Sequence, residues 1–438
     1  MRIGLVVEQF DPLRGGKEQW SVQFASKLLE RGHEVHVVAR HFGDQVRTMP
    51  VVRHRLAPVK SPIGFAEGAE AALRSLALDV VHDTGAGWYC DVFQPHGGSR
   101  RALSEHNLLL LPEWLRPLKR AVDRRLPRHR RFETVMTRQY VNDGRIVLAL
   151  SRRTLCDIER FHGVPRPQIR LGYNGVDPVR FSPEHRAQYR EAIRRWLGID
   201  DETVLLLIVA HNFALKGVPT LIRAMGRLAA RPRRVHLAVV GGKRFGRYRR
   251  AAARLGAGSA VTFTGTVRDT VPFYAAADAY VHPTFHDSCS LVVLEALASG
   301  LPVITSRLNG AAELLTDGVE GSVLPDPADV DDLLARLEPL FDEATRRRMG
   351  EAARRLAMQH TLDRNVNEVL AVYEEVLQTR GGPPRQALLR AARPFVCRRT
   401  ELPPTATLAP PAPAAAPGRV PSVGPAAPIS PPAASEAT

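Results

Sequence analysis

Several features that would have fixed a protein's class are scarce or missing here. The four cysteines, Cys90, Cys156, Cys289 and Cys397, lie far apart with no CxxC spacing. That argues against a disulfide framework or a zinc site and predicts a reducing, cytoplasmic setting. No apolar run approaches the ~18 residues of a membrane-spanning helix. The short apolar run at 1–7 ends at Glu8 and reads as a strand, not a secretory signal. HExxH and the P-loop are absent. No GxGxxG follows the first strand, and Gly85-Ala-Gly87 and Gly256-Ala-Gly258 lack the third glycine. Dinucleotide-dependent hydride transfer is therefore not expected. Aromatics make up only 6% and do not interleave with the basic stretches, and no nucleic-acid-binding motif occurs, so no nucleic-acid partner is expected.

Arginine and a repeating β/α rhythm are what the chain does have. It holds 438 residues, and 61 basic against 45 acidic side chains give a formal charge of +16. Only six of the cations are lysine, at 17, 27, 60, 119, 216 and 243. Residues 401–438 contain 11 Pro and 11 Ala. Such a stretch lacks the large side chains that would offset its ordering entropy, and about 380 residues then remain for two domains.

A strand at 2–8 is broken by Gly15-Gly16, a helix follows to 31, and a strand covers 34–38. This βαβ unit requires a parallel neighbour and a right-handed crossover. Further strands are expected near 51–55, 78–82, 90–94, 146–150 and 168–171, with helices near 66–76, 101–110, 113–142 and 152–161. The pattern then restarts. Strands are expected at 204–210, 235–240, 261–264, 279–282 and 302–305, and helices at 218–230, 271–276, 291–298, 328–340, 343–358 and 362–378. Two such series predict an α/β protein with two facing Rossmann-like domains. The expected division is a first domain at 1–172, a linker at 173–182, a second domain at 183–362, a closing helix at 363–380 and a disordered tail at 381–438, basic and then Pro/Ala-rich.

Ligands of open α/β sheets bind at the carboxyl ends of the strands, so the loops there are the candidates. Gly15-Gly16 lets backbone approach a ligand ahead of a helix N-terminus. His96, in Gln94-Pro-His-Gly-Gly-Ser99, sits where no regular element can form. Lys216 follows the most apolar strand of the second half and precedes a helix. Asp287 and Glu295 flank the start of another helix, whose first amides, at Ser290, Leu291 and Val292, have no backbone acceptors and could hold a pyrophosphate.

Taken in order, Gly15-Gly16, Asn174-Gly-Val-Asp177 with Phe181, Lys216-Gly217, Ala277-Asp278 and Asp287-x7-Glu295-Ala-Leu-Ala-Ser-Gly-Leu-Pro-Val resemble glycosyltransferase family 4 over residues 1–378. Within it, the Cys-Ser-Leu-Val-Val-Leu-Glu run and the basic helical insert are most similar to the bacterial lipopolysaccharide core glucosyltransferases that act on heptose. The resemblance implies the GT-B fold, transfer with retention of anomeric configuration, no metal cofactor, and a nucleotide-sugar donor, a UDP-sugar. It implies that Glu295 holds the ribose and Asp287 hydroxyls of the donor sugar. The amides of Ser290, Leu291 and Val292, with Lys216 and the Gly15-Gly16 loop, would hold the diphosphate. Backbone near Val267 and Arg268 would read the base, and His96 would touch sugar or acceptor. Two departures stand out. The first carboxylate of the pair is Asp287 where the family usually has Glu, and Ala214-Leu215 fill the place of an arginine found in many relatives. Arg14, Lys243 and Arg307 are the sequence's candidates for that second cation.

Between 116 and 131 there are eight Lys or Arg and one acid, Asp123, among Leu118, Val122 and Leu126. This basic amphipathic segment, interrupted at Pro127, predicts contact with an anionic membrane surface. The expected function is hexose transfer, glucose foremost, to a lipopolysaccharide-core or other cell-envelope glycan. That places the protein in the cytoplasm, peripheral on the membrane's inner face. A catalytically inactive scaffold of this fold and a nucleotide-sugar epimerase are the alternatives.

Overall fold

The computed structural model describes residues 1–58 and 61–380, so the expected tail at 381–438 lies outside the described residues. Two parallel sheets dominate. The first has seven strands in the order Val52–Arg55, Glu34–Ala39, Arg2–Val6, Val80–Asp83, Val92–Phe93, Ile146–Ala149 and Ile169–Leu171. The second has six, in the order Val261–Gly265, Val235–Val240, Val204–Val209, Ala279–His282, Val303–Ser306 and Gly321–Leu324. Numbered along the chain, each begins 3-2-1-4-5-6, the doubly wound order. The order reverses between Arg2–Val6 and Val80–Asp83 in the first sheet, and between Val204–Val209 and Ala279–His282 in the second.

The central strands are buried on both faces, as parallel sheets flanked by helices must be. Leu5, paired with Val37 and His82, is fully buried, and so is Leu207 of the second sheet. The last helix, Leu362–Arg380, returns to the first domain. Its Val366, Val369 and Tyr373 join Trp20 and Phe24 in one core cluster, and the Tyr373 hydroxyl meets His82 Nδ1 at 2.6 Å. Trp20 stacks on Phe24 at 4.6 Å and donates from Nε1 to Asn365. The chain thus crosses between domains twice, which ties them together more firmly than a single linker would.

The helix expected over 113–142 is divided. A short turn at Glu113–Leu115 leads into the helices Arg116–Arg125 and Pro127–Gln139. Pro127 forces Leu126 into extended backbone, φ −73° and ψ 133°, and then opens the second helix from its first position. Among the described residues no helix is long and apolar enough to cross a membrane. Cys90 and Cys289 are free thiols among the described residues.

Candidate active site

The two sheets turn their carboxyl ends toward each other, and a cleft of about 640 Å³ lies between them. Gly15, Gly16, His96, Lys216, Val267, Arg268, Asp287, Glu295 and the residues Ser290, Leu291 and Val292 all line it, as the sequence led one to expect.

The first domain supplies the Gly15-Gly16 turn and the helix Gly16–Glu30. No side chain caps that helix, so its first amides have no internal acceptor. Glycine at 16 permits a close approach, since a Cβ there would stand 3.3 Å from Leu291 Cδ1 of the other domain. Gln19 Nε2 crosses the same gap to Glu295 Oε1 at 3.5 Å. His96 packs its ring on Trp20, 4.3 Å between centroids. Its Nε2 is buried without a protein partner. Burial, with His82 and Lys17 nearby, holds its pKa well below the usual value. At neutral pH His96 is therefore an uncharged imidazole able to hydrogen-bond a sugar hydroxyl.

The second domain supplies the acids and the ammonium. Lys216 ends the loop after Val204–Val209, and Gly217 caps the next helix at φ +78°. A Cβ at 217 would fall 2.0 Å from the Pro283 carbonyl oxygen, so only glycine fits this turn beside the lysine. Lys216 Nζ donates to Asp287 Oδ2 at 2.5 Å and to the His286 carbonyl at 3.2 Å. Burial pushes the Asp287 carboxyl upward, but Lys216 and His282 prevail and hold it well below the usual carboxylate range. Asp287 is thus ionised and immobilised, ready to accept from hydroxyls. Glu295 behaves differently. Burial pushes it up to about 7, and the Tyr274 hydroxyl donates to it at 2.9 Å. Val267 and Arg268 line the cleft just beyond Val261–Gly265.

Two expectations need correction. The Ser290 amide is not open to a ligand, because it donates to Asn309 Oδ1 at 3.2 Å. Leu291 and Val292 begin the Leu291–Ala298 helix and keep amides without intrahelical acceptors. None of the three sequence candidates for the second cation lines the cleft. Arg14 pairs with Asp11 at 3.2 Å, Lys243 lines another hollow with Arg244 and Arg247, and Arg307 lines a third. Lys17 and Arg180 do line it. Sequence reasoning missed both, although Lys17 directly follows Gly15-Gly16. It also missed Asn174 as a lining residue, buried with its Oδ1 unpartnered.

The pairing of Asp278 is structural. It is buried, accepts from the Leu205 amide at 2.8 Å, and binds Arg194 at 3.1 Å and Arg190 at 3.0 Å.

Comparison with known proteins agrees with this geometry. The profile described as Glycosyltransferase Family 4 matches residues 14–180, and that described as Glycosyl transferases group 1 matches 189–356. The chain is 28% identical over 402 residues to a D-inositol 3-phosphate glycosyltransferase of Thermobifida fusca, covering 83% of this chain and 89% of that one. It is 30% identical over 182 residues to the lipopolysaccharide glucosyltransferase WaaG of Escherichia coli, covering 41% and 49%. The crystal structure of WaaG, a glycosyltransferase involved in lipopolysaccharide biosynthesis, superposes with a TM-score of 0.72 at 23% identity, over 85% of this chain and 99% of that one. With both halves matched in order and both sheets doubly wound about one cleft, the chain belongs to glycosyltransferase family 4 and is a glycosyltransferase of the GT-B fold.

Proposed function

We propose that the protein transfers glucose, with retained anomeric configuration, from UDP-glucose to a lipopolysaccharide-core or related envelope glycan. One observation carries the donor reading. Two helix N-termini from opposite domains converge on a space that also holds Lys17, Lys216 and Arg180, with Asp287 and Glu295 beside them. The amides and cations suit a diphosphate, and the two carboxylates suit hydroxyls.

In this reading Glu295 holds the ribose, Asp287 and His96 hold the donor sugar, and backbone at Val267 and Arg268 meets the base. The bond from the anomeric carbon to the phosphate oxygen breaks as the acceptor hydroxyl attacks from the same face. The leaving phosphate takes the hydroxyl proton, and UDP departs. Fixed cations and amides stabilise the charge that develops on the leaving oxygen. They would do so without a metal ion, so turnover should survive EDTA.

The acceptor reading rests on the insert. Trp114, in the Glu113–Leu115 turn, and Leu118 and Val122, in the Arg116–Arg125 helix, are 76%, 62% and 46% exposed at four-residue spacing. They stand among Arg116, Lys119, Arg120 and Arg125, a pattern that suits an anionic membrane surface. Vesicles with anionic lipid should retain the protein, and Trp114→Ser/Leu118→Ser should release it. Unchanged sedimentation of that variant with the vesicles would remove the membrane from the proposal.

The donor test is direct. Thermal shift with UDP-, GDP- and ADP-glucose should single out UDP-glucose. Slow hydrolysis or transfer should yield the retained anomer, and Lys216→Ala should lower turnover about 10²–10³-fold. Isomerisation of the sugar without transfer, or near wild-type rates in Lys216→Ala, would refute this assignment.

A further inference from the structure

The donor cleft shares a wall with a second hollow, of about 480 Å³. His211 and Asn212 line both spaces. They belong to the loop after Val204–Val209, and the Asn212 carbonyl accepts from the Lys216 amide at 2.9 Å. The far side of the hollow is the turn after Val235–Val240 and the start of the helix Gly246–Arg254. It contributes Lys243, Arg244, Arg247 and Tyr248. Gly242 lets this turn close on the loop, since a Cβ there would fall 2.6 Å from Phe213 Cζ.

No acid lines this hollow. The reason is written in the sequence: residues 203–268 contain 13 Lys or Arg and no Asp or Glu. Acids from other segments balance the part of this run that lies away from the cleft. Arg231 and Arg233 pair with Glu338, and Arg234 pairs with Asp200 and Glu202. Beside the cleft the charge is left over. Among the described residues no acid pairs with Lys243, Arg244, Arg249 or Arg250, and Arg247 meets only the hydroxyl and ring of Tyr248. The helix Gly246–Arg254 also begins here without a side-chain cap, and its dipole adds the same sign.

Lys243, Arg244 and Arg247 are exposed. Exposed cations give little direct affinity, because ordering them costs about what the contact returns. Their field reaches further than their contacts, about 10 Å at 0.1 M salt and about 30 Å at 0.01 M. A nucleotide sugar carries two negative charges on its diphosphate. An acid-free rim beside the cleft therefore draws it in before any contact forms.

We propose that this hollow is the encounter site of the nucleotide-sugar donor: Lys243, Arg244 and Arg247 gather the incoming diphosphate and pass it across His211 and Asn212 to Lys216. The role is kinetic. It speeds arrival without a place in the bound complex, and it rests on the donor reading of the cleft.

Stopped-flow tryptophan fluorescence with UDP-glucose, over a series of NaCl concentrations, tests this on the full chain. Trp20, packed on His96, supplies the signal. Lys243→Gln/Arg244→Gln/Arg247→Gln should associate about tenfold more slowly than wild type at low salt, with an unchanged dissociation rate. The gap should close as salt is raised, and thermal unfolding should match wild type. Arg231→Gln/Arg233→Gln/Arg234→Gln removes as much charge at the other end of the same strand and should leave association unchanged. An association rate that neither variant alters, or that both alter equally, overturns the proposal. A loss confined to the dissociation rate also overturns it, because these side chains would then be ligands of the bound donor. If GDP-glucose binds wild type and UDP-glucose does not, the UDP assignment falls, and the same salt series with GDP-glucose decides the role of the hollow.

Discussion

Burial lifts the Glu295 carboxyl from an ordinary 4.5 to about 7, with Tyr274 and Gln19 donating to it and Arg180 and Asp269 acting on its charge. A group whose pKa rises on folding favours the fold at low pH, and that contribution fades as pH climbs through about 7. Donor binding has the opposite sign. Ribose hydroxyls donate, so they select the ionised carboxylate, and each unit below the free-protein pKa costs about tenfold in affinity. Donor affinity should therefore rise about tenfold between about pH 6 and pH 8, and Glu295→Gln should bind more weakly with no such slope. A flat profile for wild type in calorimetric titrations would show that Glu295 does not meet the ribose. At this scale the sequence was informative where chemistry is local. Asp287, Glu295 and Lys216 were legible because each sits at a strand end or helix start. Their pairing was not, since the ion pair of Lys216 and Asp287 spans 71 residues of chain. The Ser290 amide was misjudged for the same reason: its acceptor, Asn309, comes from 19 residues away.

Elements were legible wherever their burial is apolar. The strands Val235–Val240 and Ala279–His282 and the helices Val271–Ala276 and Leu291–Ala298 have the bounds that hydrophobic periodicity sets. The helix Arg186–Leu197 went unread although Tyr189, Ile193, Trp196 and Leu197 recur at helical spacing and pack on the second domain's core. Its inward face also carries Arg190 and Arg194, which bind Asp278 and dilute that apolar signal. Gly246–Arg254 is similarly arginine-rich, and the edge strand Gly321–Leu324 is too short and too mixed for an alternation to show. The anchoring of Arg186–Leu197 can be measured. The side chains of Arg194 and Asp278 are only 3% and 5% exposed, so Asp278→Ala removes the buried partner of this guanidinium and leaves it only the exposed Asp201 as a counter-charge. It should destabilise the protein by about 3–5 kcal/mol in denaturant unfolding. Replacing both partners, as Asp278→Leu/Arg194→Met, should recover much of that loss. A cost of under about 1 kcal/mol for Asp278→Ala would mean that apolar packing alone holds this helix.

The arrangement of the whole molecule depends on how closely two separately folded sheets approach. Neither domain holds the complete cation set, because Lys17 belongs to the first domain and Lys216 to the second. Donor chemistry therefore requires the closed geometry, in which Gly16 stands against Leu291 at the cleft. A side chain at 16 acts there as a wedge. Alanine meets Leu291 Cδ1 at 3.3 Å, a contact that a small shift of the leucine side chain relieves. Valine adds two methyls beyond that point and forces the domains apart. Misplacing reacting groups by about 1 Å costs up to about 10²-fold in rate. Gly16→Val should therefore lower kcat/KM for the donor by at least about tenfold and Gly16→Ala by clearly less. Thermal unfolding should change little in either, since the glycine borders the cleft and not a core. X-ray scattering should show Gly16→Val more extended with donor bound than the wild type. If Gly16→Val turned over at the wild-type rate and compacted normally, contact between these two helix ends would have no part in assembling the site.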